Sequence, residues 1–156
     1  MIKLTKILQL TPNEHIIQQL RVLQLKLPAE AKHLTPDALH ITLLKTSKDD
    51  NRAISTVELS TFGDVDIMTD GSIFVIERQA VIIDGVQKTP AKKAWITLLP
   101  TEQQTQLRHL VYCIANTAGV KLSQYEQHRP FHVSLGNLTG SPFDSVGDVS
   151  WDEVQK

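Results

Sequence analysis

His40-Ile41-Thr42-Leu43 and His132-Val133-Ser134-Leu135 are two versions of one tetrad, far apart in the chain. In each, apolar residues alternate with a histidine and a hydroxyl. That is the period of a half-buried β-strand, whose side chains two apart share a face. On the first strand His40 and Thr42 share one face, while Leu39, Ile41 and Leu43 fill the other. On the second, His132 and Ser134 stand opposite Phe131, Val133 and Leu135. With six histidines in the chain, about 0.1 copies of such a tetrad are expected by chance. Two strands of this kind facing one another offer two titratable bases and two hydroxyl donors, a set suited to acid–base chemistry on a phosphate.

The surroundings of the two tetrads also match. Leu4 to Leu10 reads as a strand, and Thr11-Pro12-Asn13-Glu14 as a helix start with threonine as cap. Ile16, Ile17, Leu20, Leu23 and Leu27 follow at helical spacing, and Pro28 ends that helix. In the second half Ala94 to Leu99 reads as a strand and Thr101-Glu102-Gln103-Gln104 as a capping box. Leu107, Leu110, Val111, Ile114 and Ala118 form the helical stripe, and Gly119 stops it. An extended stretch from Val120 to Tyr125 leads to Pro130 and the second histidine strand. Strand, capped helix, histidine strand thus occurs twice, which reads as an internal duplication. Between the halves, Thr56 to Phe62 and Ile73 to Ile83 read as strands, with Asp70-Gly71 and Asp84-Gly85 as hairpin turns. The tail after Gly140 reads as irregular. No linker rich in Gly or Ser divides the chain, so residues 1–156 are expected to form one domain.

The 156 residues are 41% hydrophobic and 21% charged, the profile of an ordinary globular protein. A net charge of −1 argues against broad binding of long nucleic acids, which needs a basic surface, but not against a small anion gripped locally. Cys113 is the single cysteine, so neither an intrachain disulfide nor a cysteine metal cage can form. No stretch is apolar enough to span a membrane, and the start lacks the core of a signal peptide. The cytoplasm is therefore the expected compartment, with no membrane partner.

The paired His-x-(Thr/Ser)-x motifs in a duplicated frame resemble the 2H phosphoesterase superfamily, which includes RNA 2′,3′-cyclic phosphodiesterases and 2′-5′ RNA ligases. The resemblance implies an α+β bilobal fold: two antiparallel sheets flank a central cleft with pseudo-two-fold duplication, and helices lie outside. It implies His40, Thr42, His132 and Ser134 as catalytic residues lining that cleft, with no metal or other cofactor. Arg129 to Gly140 and Pro142 to Asp148 are further similar to phage anti-CBASS phosphodiesterases, which degrade cyclic oligonucleotide messengers. That likeness implies a small cyclic di- or trinucleotide substrate and, for a phage protein, action in the host cytoplasm. RNA ends bearing a 2′,3′-cyclic phosphate, 2′-5′ linkages, or simple nucleotide capture without cleavage are the alternatives.

The two histidines would exchange protons with the 2′-OH and the departing 5′ oxygen, while Thr42 and Ser134 donate to the non-bridging oxygens. Around them, Tyr125 and Trp151 are candidates for stacking on a base, and Arg129 and Lys121 for offsetting phosphate charge. Phe143 and Trp95 are the other candidate aromatics, Trp95 being placed by its apolar strand in the core. Gly136, two residues after Ser134, would share the cleft face. His128 could approach the same face by strand parity, His15, His33 and His109 read as surface residues, and Cys113 as a small core residue.

Overall fold

The computed structural model describes residues 1–155 and has α+β architecture. Strands β1 (Ile2–Leu4) and β2 (Ile7–Leu10) form a hairpin, followed by helix α1 (Glu14–Gln24), the two-residue β3 (Lys32–His33) and β4 (Ile41–Lys45). Helix α2 (Lys48–Ser55) precedes β5 (Phe74–Arg78), the hairpin β6 (Val81–Ile83) and β7 (Val86–Thr89), and then β8 (Lys92–Leu98). Helices α3 (Thr101–Ala118) and α4 (Gln124–His128) lead to β9 (His132–Asn137). Every strand pairing is antiparallel.

The main sheet has the order β1-β2-β4-β9-β8-β5, with β3 also on β9. Outward from the β4–β9 junction the sheet runs β4-β2-β1 on one side and β9-β8-β5 on the other, each histidine strand lying next to the strand that precedes its long helix. The expectation of two separate sheets is corrected: hydrogen bonding joins both halves into one. The seam is narrow, because β4 meets β9 at the single pair Ile41↔Val133. Farther along β9, the same edge is occupied by β3 through Lys32↔Asn137 and His33↔Gly136.

The face carrying Ile41, Leu43, Val133 and Leu135 packs with Leu20 of α1 and Leu107 and Ile114 of α3 into the main core. The opposite face is free of those helices. Over its β5–β8 half lies the tail, where Val146, Val149 and Val154 pack on Ile76, Ala94, Ile96 and Leu98 in a second cluster. Among the described residues, no helix is long and apolar enough to cross a membrane.

Several element boundaries differ from those read in the sequence, for local reasons. The strand expected over Leu4 to Leu10 turns back on itself at Thr5-Lys6. The cap of α1 is Asn13, whose Oδ1 accepts from Ile16 N at 3.0 Å; Thr11 instead donates to the Met1 carbonyl. Thr101 lies within α3, behind Pro100 as cap. Thr56 to Phe62 is no strand, because α2, capped by Ser47, ends there and a 3-10 turn follows over Leu59–Phe62. Ile73 to Ile83 divides into β5 and β6. Asp84-Gly85 closes the β6–β7 hairpin, whereas Asp70-Gly71 does not join paired strands: Asp70 N bonds Leu98 O. Part of the stretch expected to be extended from Val120 to Tyr125 belongs to α4, capped by Ser123.

Candidate active site

The pair Ile41↔Val133 has both side chains on the helix-covered face, buried to 0% and 2% exposure. Pleat alternation then turns His40 and Thr42, and His132 and Ser134, to the opposite face. All four line one cavity of about 710 Å³. Its far wall is the tail segment that includes Pro142, Phe143 and Ser145 to Asp148. The irregular tail is therefore a structural part of the site.

Each tetrad is followed by a β-bulge. In β4 the register runs from Gln9↔Thr42 to Leu8↔Leu44, leaving Leu43 as the extra residue. In β9 it runs from Ile96↔Ser134 to Trp95↔Gly136, leaving Leu135 extra. A bulge of this kind reverses the alternation beyond it. Leu43 and Leu44 consequently both enter the core, and Lys45 rises to the cavity face. Gly136, expected on the cleft face, is turned away from it for the same reason. A Cβ there would stand 2.8 Å from the Lys32 carbonyl, so the missing side chain admits β3 and not a ligand.

The two histidines differ in environment. The His40 Nδ1 position lies 2.8 Å from the Ala38 carbonyl, and because a carbonyl only accepts, Nδ1 is the donor. Its Nε2 is then free toward Thr42 Oγ1, 3.3 Å away. His132 is buried, and its Nδ1 has no hydrogen bond of ordinary geometry. Burial pushes the His132 pKa down to about 4, aided by the nearby positive charge of Arg129 and by His40. The Val146 and Pro130 carbonyls act the other way without reversing the shift. At neutral pH His132 is an uncharged imidazole.

Arg129 is itself buried at 3% exposure. Its Nε donates to Glu126 at 3.0 Å, its guanidinium lies 4.9 Å from the centre of the Phe131 ring, and an Nη donates to the Thr42 carbonyl. It thus ties β4 to the approach of β9 beside their one ladder pair, and does not line the cavity. Nor do Tyr125, Trp151 and Lys121. Tyr125 Oη donates to Val149 O at 3.0 Å, Trp151 Nε1 donates to His128 O, and Lys121 is exposed elsewhere. Tyr125 and Trp151 hold the tail down. His128, His15, His33 and His109 are exposed, Trp95 is in the interior, and Cys113 is half-buried beside His109 and not in the core.

The cavity instead draws positive charge from Lys6, Lys45, Arg78 and Lys92, against Asp37 and Asp148. Phe143 also lines it, 82% exposed. None of these four cations was legible as a site residue from spacing alone. Arg78 and Lys92 are a register pair at the base of the β6–β7 hairpin, and Lys45 is aimed by the bulge. Among the described residues, no group of three or more His, Cys, Asp or Glu side chains is arranged to hold a metal ion.

No family model matches the chain, and no curated protein sequence matches it.

Proposed function

We propose that the protein is a phosphodiesterase of the 2H type, acting in the cytoplasm on small ribonucleotide esters, with cyclic di- and trinucleotides as the preferred substrates. The two sides of the sheet correspond, in this reading, to two lobes fused at Ile41↔Val133. The observation that carries it is the convergence of two imidazoles and two hydroxyls on one cavity rimmed by cationic side chains. Neither metal nor other cofactor takes part in the steps below.

His132, neutral at physiological pH, takes the proton of the ribose 2′-OH as that oxygen attacks phosphorus. His40 enters the step doubly protonated: its Nδ1–H stays on the Ala38 carbonyl, and its Nε2 proton passes to the 5′ oxygen as the phosphorus–oxygen bond breaks. Thr42 and Ser134 donate to the non-bridging oxygens, where negative charge must be held in the transition state. The products are a 2′,3′-cyclic phosphate and a free 5′-OH. Water can then open the ring with the two histidines in exchanged roles.

Incubation with cyclic dinucleotides, cyclic trinucleotides and RNA 2′,3′-cyclic phosphates, with chelator present, tests this reading. Linear products from the cyclic messengers are expected. Turnover of RNA ends alone would move the substrate to the RNA class, and tight retention of intact ligand would make the protein a nucleotide-capturing module.

A further inference from the structure

The bulge at Leu43 gives the cavity face a third polar side chain from the first histidine strand, after His40 and Thr42. Without it, alternation would put Leu44 over the cavity and bury Lys45. The ammonium then crosses the cavity to the tail wall. A Cβ on residue 147 would stand 2.7 Å from Lys45 Nζ and 3.0 Å from its Cε, so Gly147 makes room for it. Lys6 lines the cavity next to it, its carbonyl bonded by Thr46 Oγ1 at 3.1 Å.

Of the cavity's basic groups, Arg78 has counter-ions, whereas Lys6, Lys45 and Lys92 have none among the described residues; Lys92 Nζ donates to the Phe143 carbonyl at 3.3 Å. Arg78 is held by Glu153 and Asp148, Lys93 by Glu30 and Glu77, and Arg129 by Glu126. The duplication provides an internal comparison, because Asn137 occupies the place of Lys45 in the second half, two residues beyond its bulge. Asn137 is consumed by structure: its amide donates to Ser141 O and Ser145 Oγ, and its Oδ1 accepts from Thr139 N and Gly140 N. Lys45 has no such duty.

We infer that Lys45, seated against Gly147 and assisted by Lys6, forms a second anion-binding subsite, which takes the phosphate next to the one held between the histidines. The inference rests on the phosphodiesterase reading and sharpens its substrate class to ligands with at least two phosphates. Two pleat steps separate Lys45 from Thr42, about 7 Å along the strand, a distance of the order of one repeat of a nucleotide backbone.

The test compares cyclic diadenylate, which has two phosphates, with adenylyl-3′,5′-adenosine, which has one. Kd and KM are measured for the wild type, Lys45→Met, Lys45→Arg and Gly147→Ala. Lys45→Met should weaken cyclic diadenylate about tenfold, the scale of one charge-assisted hydrogen bond, and leave the single-phosphate probe within about twofold. Lys45→Arg should restore much of the loss. Gly147→Ala, which displaces the ammonium while keeping the charge, should reproduce part of it. Equal losses on both probes would assign Lys45 to the reacting phosphate and overturn the subsite, as would no loss on either, or failure of the wild type to bind cyclic diadenylate. Binding without turnover, still sensitive to Lys45, would instead sink the phosphodiesterase reading and leave the subsite standing.

Discussion

His132 combines burial with a titrating ring, and this has a measurable effect on stability. Its folded pKa of about 4 lies below the ordinary histidine value of 6.5, so between those values the unfolded chain binds more protons than the native one. The group's contribution is complete above pH 6.5 and is lost as pH falls to 4, amounting to about 3 kcal/mol. Urea denaturation at pH 7 and pH 4.5 should show a smaller acid-induced loss for His132→Gln than for the wild type; identical losses would contradict the buried, neutral ring. For turnover, His40→Asn and His132→Asn should each cost at least about 100-fold in kcat. Thr42→Ala and Ser134→Ala should slow the reaction less, by about tenfold or more. These four residues were legible because strand parity needs only local alternation. His132's lowered pKa was not, since it comes from burial of the ring in the folded chain and from the charge of Arg129 packed nearby.

The β4–β9 seam depends on more than its ladder. With one residue pair joining β4 to β9, the bond from Arg129 to the Thr42 carbonyl is a further tie between those strands. Removing it also leaves Glu126, only 11% exposed at its side chain, without its partner. Arg129→Met should therefore destabilise the protein by about 3 kcal/mol in urea denaturation; a loss below about 1 kcal/mol would show that the tie is dispensable. The sequence revealed the strands and long helices through their periodicity. It did not reveal the bulges, because Leu43-Leu44 and Leu135-Gly136 look like continued apolar strand. One extra residue in each strand moved Gly136 off the cavity face and Lys45 onto it, and only cross-strand register records that. Arg129 was misplaced for a related reason: adjacency to a motif does not say whether a cation faces the ligand or the protein beneath it.

The cavity exists because the C-terminal segment lies across the second half of the sheet. Arg78 anchors that segment to β5 by pairing with Glu153 and Asp148, and it holds the Glu153 carboxyl down to about 2. A carboxylate lowered in this way stabilises the fold above its ordinary pKa of 4.5, and that contribution fades as pH falls toward 2. Glu153→Gln should accordingly release the tail already at neutral pH, with faster amide exchange over residues 142–155 than in the wild type. Unchanged exchange would place the anchor in the valine cluster alone. The duplicated frame was legible from the chain, but the tail's part in the site was not, because its valines follow no period and dock on a sheet face whose exposure depends on the whole topology. Turnover requires two imidazoles sharing one phosphate, and mass spectrometry of cyclic diadenylate incubated with the wild type, His40→Asn and His132→Asn tests this most directly. A linear dinucleotide ending in a 2′,3′-cyclic or opened phosphate is predicted from the wild type and from neither variant; intact ligand with the wild type, or equal product from all three, would contradict it.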